Sequence, residues 1–203
     1  MGIIWIIANS DSVKNVKISD NDIVVRFNSP RTTTFAKTGF RTDYLFLANT
    51  VDVLSKMLMN DLFFKSYYRS LHEKAYVVLP YSDELIKKIN PYMTVKNITG
   101  EIKLVPNWDN NGQIERLKNI KNNRLNILSD DIYFHATKLI NPAQGKIIST
   151  GLLAINYFIN TEIFEHYNIV LNGFTFKGWP GHDWEQEKLF IEKVRETGRV
   201  NII

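Results

Sequence analysis

Ile3-Ile4-Trp5-Ile6-Ile7-Ala8, followed at once by Asn9-Ser10-Asp11-Ser12, is the stretch on which the fold turns. An unbroken apolar run closed by short polar residues reads as a strand buried on both faces and then a turn, the pattern of a parallel sheet covered by helices. Residues 23–27, 44–47 and 75–79 repeat the theme as short β-branched and aromatic runs. Between the first two of these, residues 30–34 read as a turn-rich loop. Residues 55–71 and 82–89 carry apolar side chains at three- and four-residue spacing and predict amphipathic helices.

Further along, the periodicity predicts a helix over 152–167, a strand over 169–171, a helix over 183–196 that stops at Gly198, and a last strand over 200–203. Residues 94–126 hold Pro106, Trp108, Gly112 and an Asn/Lys-rich stretch, and read as a variable surface region. Alternating β and α elements in a chain of 203 residues predict a single α/β domain over residues 1–203, with a mostly parallel, doubly wound sheet flanked by helices. Such sheets take ligands at the carboxyl ends of their strands.

Composition narrows the function classes. The chain has 25 Lys and Arg against 21 Asp and Glu, with the signs interspersed, which argues against a tail-driven nucleic-acid binder and suits a small anionic ligand. It has no cysteine, so disulfides, zinc-thiolate sites and thiol nucleophiles are excluded, and a cytoplasmic setting is expected. The run at residues 3–8 is too short to span a membrane and has no basic flank of a signal peptide.

Several residues point to chemistry. Asn9 and Ser10 follow the first strand where a doubly wound sheet meets a nucleotide; the same residues make ordinary Asx turns. Arg26 and Asn28 share one face at the end of the second run, and a charge there needs a partner or a ligand. Arg41 fits either an ion pair with Asp43 or an anion contact. Ser149-Thr150-Gly151 opens a helix, and both an N-cap and an anion site use that arrangement. Asp183 and Gln186 have capping-box spacing, which puts His182 just outside a helix N-terminus, where the dipole favours neutral imidazole. The other histidines read as surface groups (His72, His166) or a core group (His135). Asp20-Asn21-Asp22 matches a D-x-D metal pattern but precedes the second run, at the wrong end of the sheet, so no metal is expected. Neither a G-x-G-x-x-G nor a P-loop is present.

Taken in order, these segments resemble the sialyltransferase family (glycosyltransferase family 29). Ile7-Ala8-Asn9-Ser10, Val25-Arg26-Phe27-Asn28 and Gly39-Phe40-Arg41-Thr42 resemble its long motif. Ser149-Thr150-Gly151-Leu152-Leu153-Ala154 with Gly173-Phe174 resembles its short motif, and His182 with Glu187 its H-x-x-x-x-E. The family's cysteines and the His/Tyr motif before the last histidine are missing, with Phe176-Lys177-Gly178-Trp179 in that interval, and residues 51–148 show no match.

The resemblance implies a Rossmann-like domain and metal-independent, cofactor-free inverting transfer of sialic acid from CMP-sialic acid to a glycan hydroxyl. It implies that Asn9 and Asn28 contact CMP and that Ser149, Thr150 and Gly151 meet the donor near its ribose and carboxylate; Ser10, Arg26, Gly173 and Lys177 are read into the same donor set, and whether Lys177 replaces the missing phosphate contact is open. His182 would be the general base, with Glu187 orienting it or holding the loop. A CMP-Kdo donor and a non-catalytic nucleotide-binding module are the alternatives. The implied setting is capsule or lipooligosaccharide synthesis, with a lipid-linked acceptor drawing the protein to the inner face of the membrane.

Overall fold

The structure, a computed structural model, describes residues 2–49, 62–71, 75–89, 94–96, 102–104 and 124–203. In chain order the elements are β1 (Ile3–Ile7), β2 (Ile23–Phe27), α1 (Thr32–Thr38), β3 (Tyr44–Phe46), α2 (Leu62–Ser70), β4 (Tyr76–Leu79), α3 (Asp83–Ile89), β5 (Thr94–Lys96), β6 (Ile102–Leu104), β7 (Leu125–Ile127), α4 (Asp130–Ile140), α5 (Thr150–Asn160), β8 (Asn168–Asn172), α6 (Trp184–Arg195) and β9 (Val200–Ile202). A short 3₁₀ turn, Glu162–Phe164, joins α5 to β8.

Seven strands form one sheet in the order β7-β4-β3-β2-β1-β8-β9, every pairing parallel, with β5 and β6 as a separate antiparallel pair. The chain therefore folds as a Rossmann-like α/β unit. The apolar run of β1 occupies an inner strand, Trp5 facing Val24 on one side and Val170 on the other. Alternate side chains go to opposite faces: Ile4 and Ile6 join the core beneath α3, α4 and α5, whereas Trp5 and Ile7 pack on Val13, Val16 and Ile18 of the β1–β2 connection. Complete burial of such side chains contributes roughly 1.5–3 kcal/mol each before ordering costs.

From β1 the sheet grows through β2, β3 and β4 to β7, and the chain then returns to the far side of β1 for β8 and β9. Strand order thus reverses between β1 and β8, and this switch point fixes where a crevice opens.

Several expectations need correction. Residues 30–34 are not simply a loop, because α1 starts at Thr32. Three consecutive threonines are poor helix formers, and tertiary contacts override that preference: Arg26 Nη2 donates to Thr38 Oγ1 (2.9 Å) and the Gly39 carbonyl (2.6 Å), and Phe35 packs under the guanidinium. β7 and α4 have no counterpart among the expected elements, although α4 has a Ser129 cap and an acidic first turn. The helix expected over 152–167 ends at Asn160. His135 is exposed on α4, not part of the core. The first part of the helix expected at 55–71, His72 and most of the 94–126 region lie outside the described residues.

Candidate functional site

At the carboxyl ends of β1, β2 and β8 lies a cleft of about 250 Å³ that gathers Asn9, Ser10, Asn28, Ser149, Thr150, Gly151, Gly173, Lys177 and His182. These residues are separated by up to 173 positions in the chain, counting from Asn9 to His182. Phe174, Phe176 and Trp184, for which no ligand role is expected from the sequence, line it as well. Larger hollows lie elsewhere, between α4 and α6 and at the amino ends of the strands. The latter is walled by groups already spent on the protein: Arg41 binds Asp43 and the Ser19 and Asp20 carbonyls, and the Asp22 carboxylate accepts from Ile3 N, Trp5 Nε1 and Ser19 N. Arg41 is therefore a structural ion pair.

Two asparagines give the cleft opposite polarity. Asn9 Nδ2 donates to the Phe27 (2.8 Å) and Ser29 (3.3 Å) carbonyls, which leaves its Oδ1 as an acceptor. Asn28 Oδ1 accepts from Ala48 N (2.8 Å), which leaves its Nδ2 as a donor. Asn28 holds φ at 49°, a left-handed conformation that asparagine tolerates better than most residues. Phe176 sits at φ 50°, which is rarer for an aromatic and marks a conformation imposed by its surroundings.

Ser10 and Gly173 form the floor. Ser10 Oγ donates to the Gly173 carbonyl at 2.6 Å, tying the ends of β1 and β8 together. Gly173 has φ 79°, and a Cβ there would lie 2.6 Å from Val13 Cγ2 and 2.8 Å from Val13 N, so no other residue fits.

Ser149 caps α5: its Oγ accepts from Leu152 N at 3.1 Å. The N–H groups of Thr150 and Gly151, in the first helical turn, lack intrahelical acceptors and sit at the positive end of the helix dipole on the cleft wall. Gly151 keeps that wall low where the Phe174 ring approaches, a Cβ there meeting Cε1 at 3.3 Å. Lys177 is an exposed cation at the rim.

His182 has a defined tautomer. Its Nδ1 lies 2.9 Å from the Ile147 carbonyl, which can only accept, so Nδ1 carries the proton and Nε2 the lone pair. Among the described residues Nε2 has no hydrogen-bond partner. Burial holds the imidazole below its ordinary pKa and outweighs the opposing Ile147 hydrogen bond, with Lys146 adding to the depression. The ring stands between Trp179 and Trp184, with centroids 4.9 and 5.0 Å away.

Arg26 and Glu187 do not line the cleft. Arg26 is 1% exposed, and its guanidinium is committed to α1 and the Gly39 turn. It is a scaffold group, and burial lowers its pKa to about 10. Glu187 is buried beneath Ser149, accepting from its N–H and hydroxyl, and makes no hydrogen bond to His182 among the described residues. Desolvation pushes its pKa up to about 7 against those two hydrogen bonds. Its role is to position Ser149, not to orient the histidine.

The fold and cleft together define a Rossmann-like α/β protein with a polar, aromatic-walled crevice at its topological switch point. Compared with protein-family models and with curated proteins, the sequence matches none. No helix of the described residues is long and apolar enough to cross a membrane.

Proposed function

We propose that the protein is an inverting glycosyltransferase that moves sialic acid from CMP-sialic acid to a hydroxyl of a glycan, with His182 as general base. The observation that carries this reading is the convergence, in one cleft, of the α5 N-terminus, the Asn9 acceptor, the Asn28 donor and the unpartnered Nε2 of His182. A volume of about 250 Å³ is below the ~300–1,000 Å³ typical of small-molecule pockets, which suits a nucleotide with its sugar reaching beyond the cleft.

In the proposed reaction the acceptor oxygen bonds to the anomeric carbon as its proton passes to His182 Nε2. The bond from that carbon to the phosphate oxygen breaks, and CMP leaves with the electron pair. Charge on the departing phosphate is met by the Thr150 and Gly151 N–H groups and by Lys177. A monophosphate leaving group carries less charge than a diphosphate, so these groups suffice without a metal. A lipid-linked acceptor would bring the protein to the cytoplasmic face of a membrane.

The test is a transfer assay with CMP-sialic acid, CMP-Kdo and a panel of glycans, the product's anomeric configuration being read by NMR. Transfer from CMP-sialic acid with inversion supports the reading. Transfer only from CMP-Kdo reassigns the donor, and CMP binding with no transfer to any glycan indicates a non-catalytic nucleotide-binding module.

A further inference from the structure

We propose that Trp179 is the platform on which a pyranose ring of the acceptor stacks, presenting a hydroxyl to His182; this rests on the reading of His182 as the base. Nothing in the resemblance assigns this residue, which lies in the interval where the chain departs from the family pattern.

Trp179 is 58% exposed, yet it is anchored. Its carbonyl accepts from His182 N (3.2 Å) and Trp184 Nε1 (3.0 Å). The following turn is pinned by Ile147 N donating to the Gly181 carbonyl at 2.9 Å and Lys146 Nζ donating to the Pro180 carbonyl. The distal ring atoms of Trp179 fill the space a side chain at Gly181 would take, so the glycine is what lets the indole lie there. Gly178 similarly accommodates Trp184, a Cβ there meeting Cζ2 at 3.1 Å.

The imidazole is thus flanked by two indoles with different exposure. Trp184 is half-buried on the cleft wall; Trp179, edge-to-face with the imidazole at 82°, faces solvent. A large apolar ring fixed in water gains by being covered, and an amphipathic aromatic is suited to a partner with one apolar and one polar side. A pyranose has that character, with C–H groups on one face and hydroxyls around its edge. A ring covering Trp179 becomes a neighbour of the imidazole, whose centroid is 4.9 Å from that of the indole.

The experiment measures binding of immobilised galactosides, glucosides and mannosides in the presence of CMP, for the wild type and for Trp179→Ala, Trp179→Phe and Gly181→Ala. CMP binding and melting temperature are recorded on the same samples. Expected are wild-type binding to at least one glycoside class, a loss of about tenfold or more in Trp179→Ala, and near-complete retention in Trp179→Phe. Gly181→Ala, which displaces the indole without removing it, should lose binding too. CMP affinity should be unchanged throughout. Unaltered glycoside binding by Trp179→Ala, or no wild-type binding while CMP still binds, overturns the platform and leaves the donor reading standing. Absence of CMP binding as well removes both.

Discussion

Glu187 accepts both polar hydrogens of Ser149, the backbone N–H at 2.7 Å and the hydroxyl at 2.6 Å, while only 2% exposed to solvent. The contact joins the first turn of α6 to the cap of α5 and so sets the wall of the cleft. Burial raises the carboxyl from 4.5 to about 7, so the folded state holds a proton that the unfolded chain has released over that interval. This contribution to stability is complete below pH 4.5 and lost as pH rises through about 7, and it amounts to on the order of 3 kcal/mol. Glu187→Gln should remove it. Denaturant melts of both proteins at intervals from pH 4.5 to 8 should show the wild type losing stability relative to the variant as pH rises. Parallel curves would refute the assignment. His182 acts in the opposite sense, its depressed pKa favouring the fold above 6.5, but it is common to both proteins and cancels in the difference.

Ser149 and Thr150 separate stability from binding. Ser149 is the cap and Thr150 the first helical residue, so Ser149→Ala should cost about 1 kcal/mol or more, with the Glu187 carboxylate losing a donor besides. Thr150→Ala keeps the backbone N–H and removes only the hydroxyl on the cleft wall, so it should leave the melting temperature nearly unchanged and raise KM for the CMP-sugar through loss of that hydroxyl. Melting curves and donor kinetics on the two variants check this; a purely thermal defect in Thr150→Ala would take it out of the site.

Arg26 should behave as scaffold. Arg26→Lys cannot reproduce the fork that reaches Thr38 Oγ1 and the Gly39 and Arg41 carbonyls, so at least one buried acceptor loses its partner, at about 1–3 kcal/mol. The variant should melt lower with CMP affinity unchanged. A selective loss of nucleotide binding at wild-type stability would return Arg26 to the ligand site.

These assignments show what local sequence carries and what it does not. The unbroken run of β1 was readable because a strand covered on both faces needs no partner to be recognised. α1 was not, because Thr32, Thr33 and Thr34 disfavour a helix and the contacts that hold it come from Arg26 on β2. α4 does carry a cap and spaced apolar residues, Tyr133, Ala136 and Ile140, but follows a stretch whose Asn/Lys-rich composition hides β7. In the cleft, Asn9, Asn28 and Ser149 are residue types that turns and caps use anyway, so their function depends on being brought together. The Glu187–Ser149 contact spans 38 positions and has no local signature.

His182 should govern turnover. His182→Ala is expected to lower kcat by about a hundred- to ten-thousand-fold with little change in CMP affinity. The base works as neutral imidazole, so the rate should fall on the acid side with an apparent pKa below the ordinary 6.5 and stay flat on the alkaline side. A pH–rate profile of the wild type and single-pH kinetics of the variant measure both. Wild-type turnover without the imidazole would end the assignment.

The central claim, a cleft built for a CMP-linked donor, is tested most directly by the melting-temperature shift with CMP, UMP, AMP and GMP, with and without EDTA, for the wild type and Asn28→Asp. The substitution keeps the oxygen that accepts from Ala48 N and removes the Nδ2 donor, so the fold should hold while the ligand contact is lost. The account predicts the largest shift with CMP, no effect of EDTA, and a loss of that shift in Asn28→Asp at unchanged ligand-free melting temperature. Equal shifts for all four nucleotides, a shift abolished by EDTA, or an undiminished CMP shift in Asn28→Asp would contradict it.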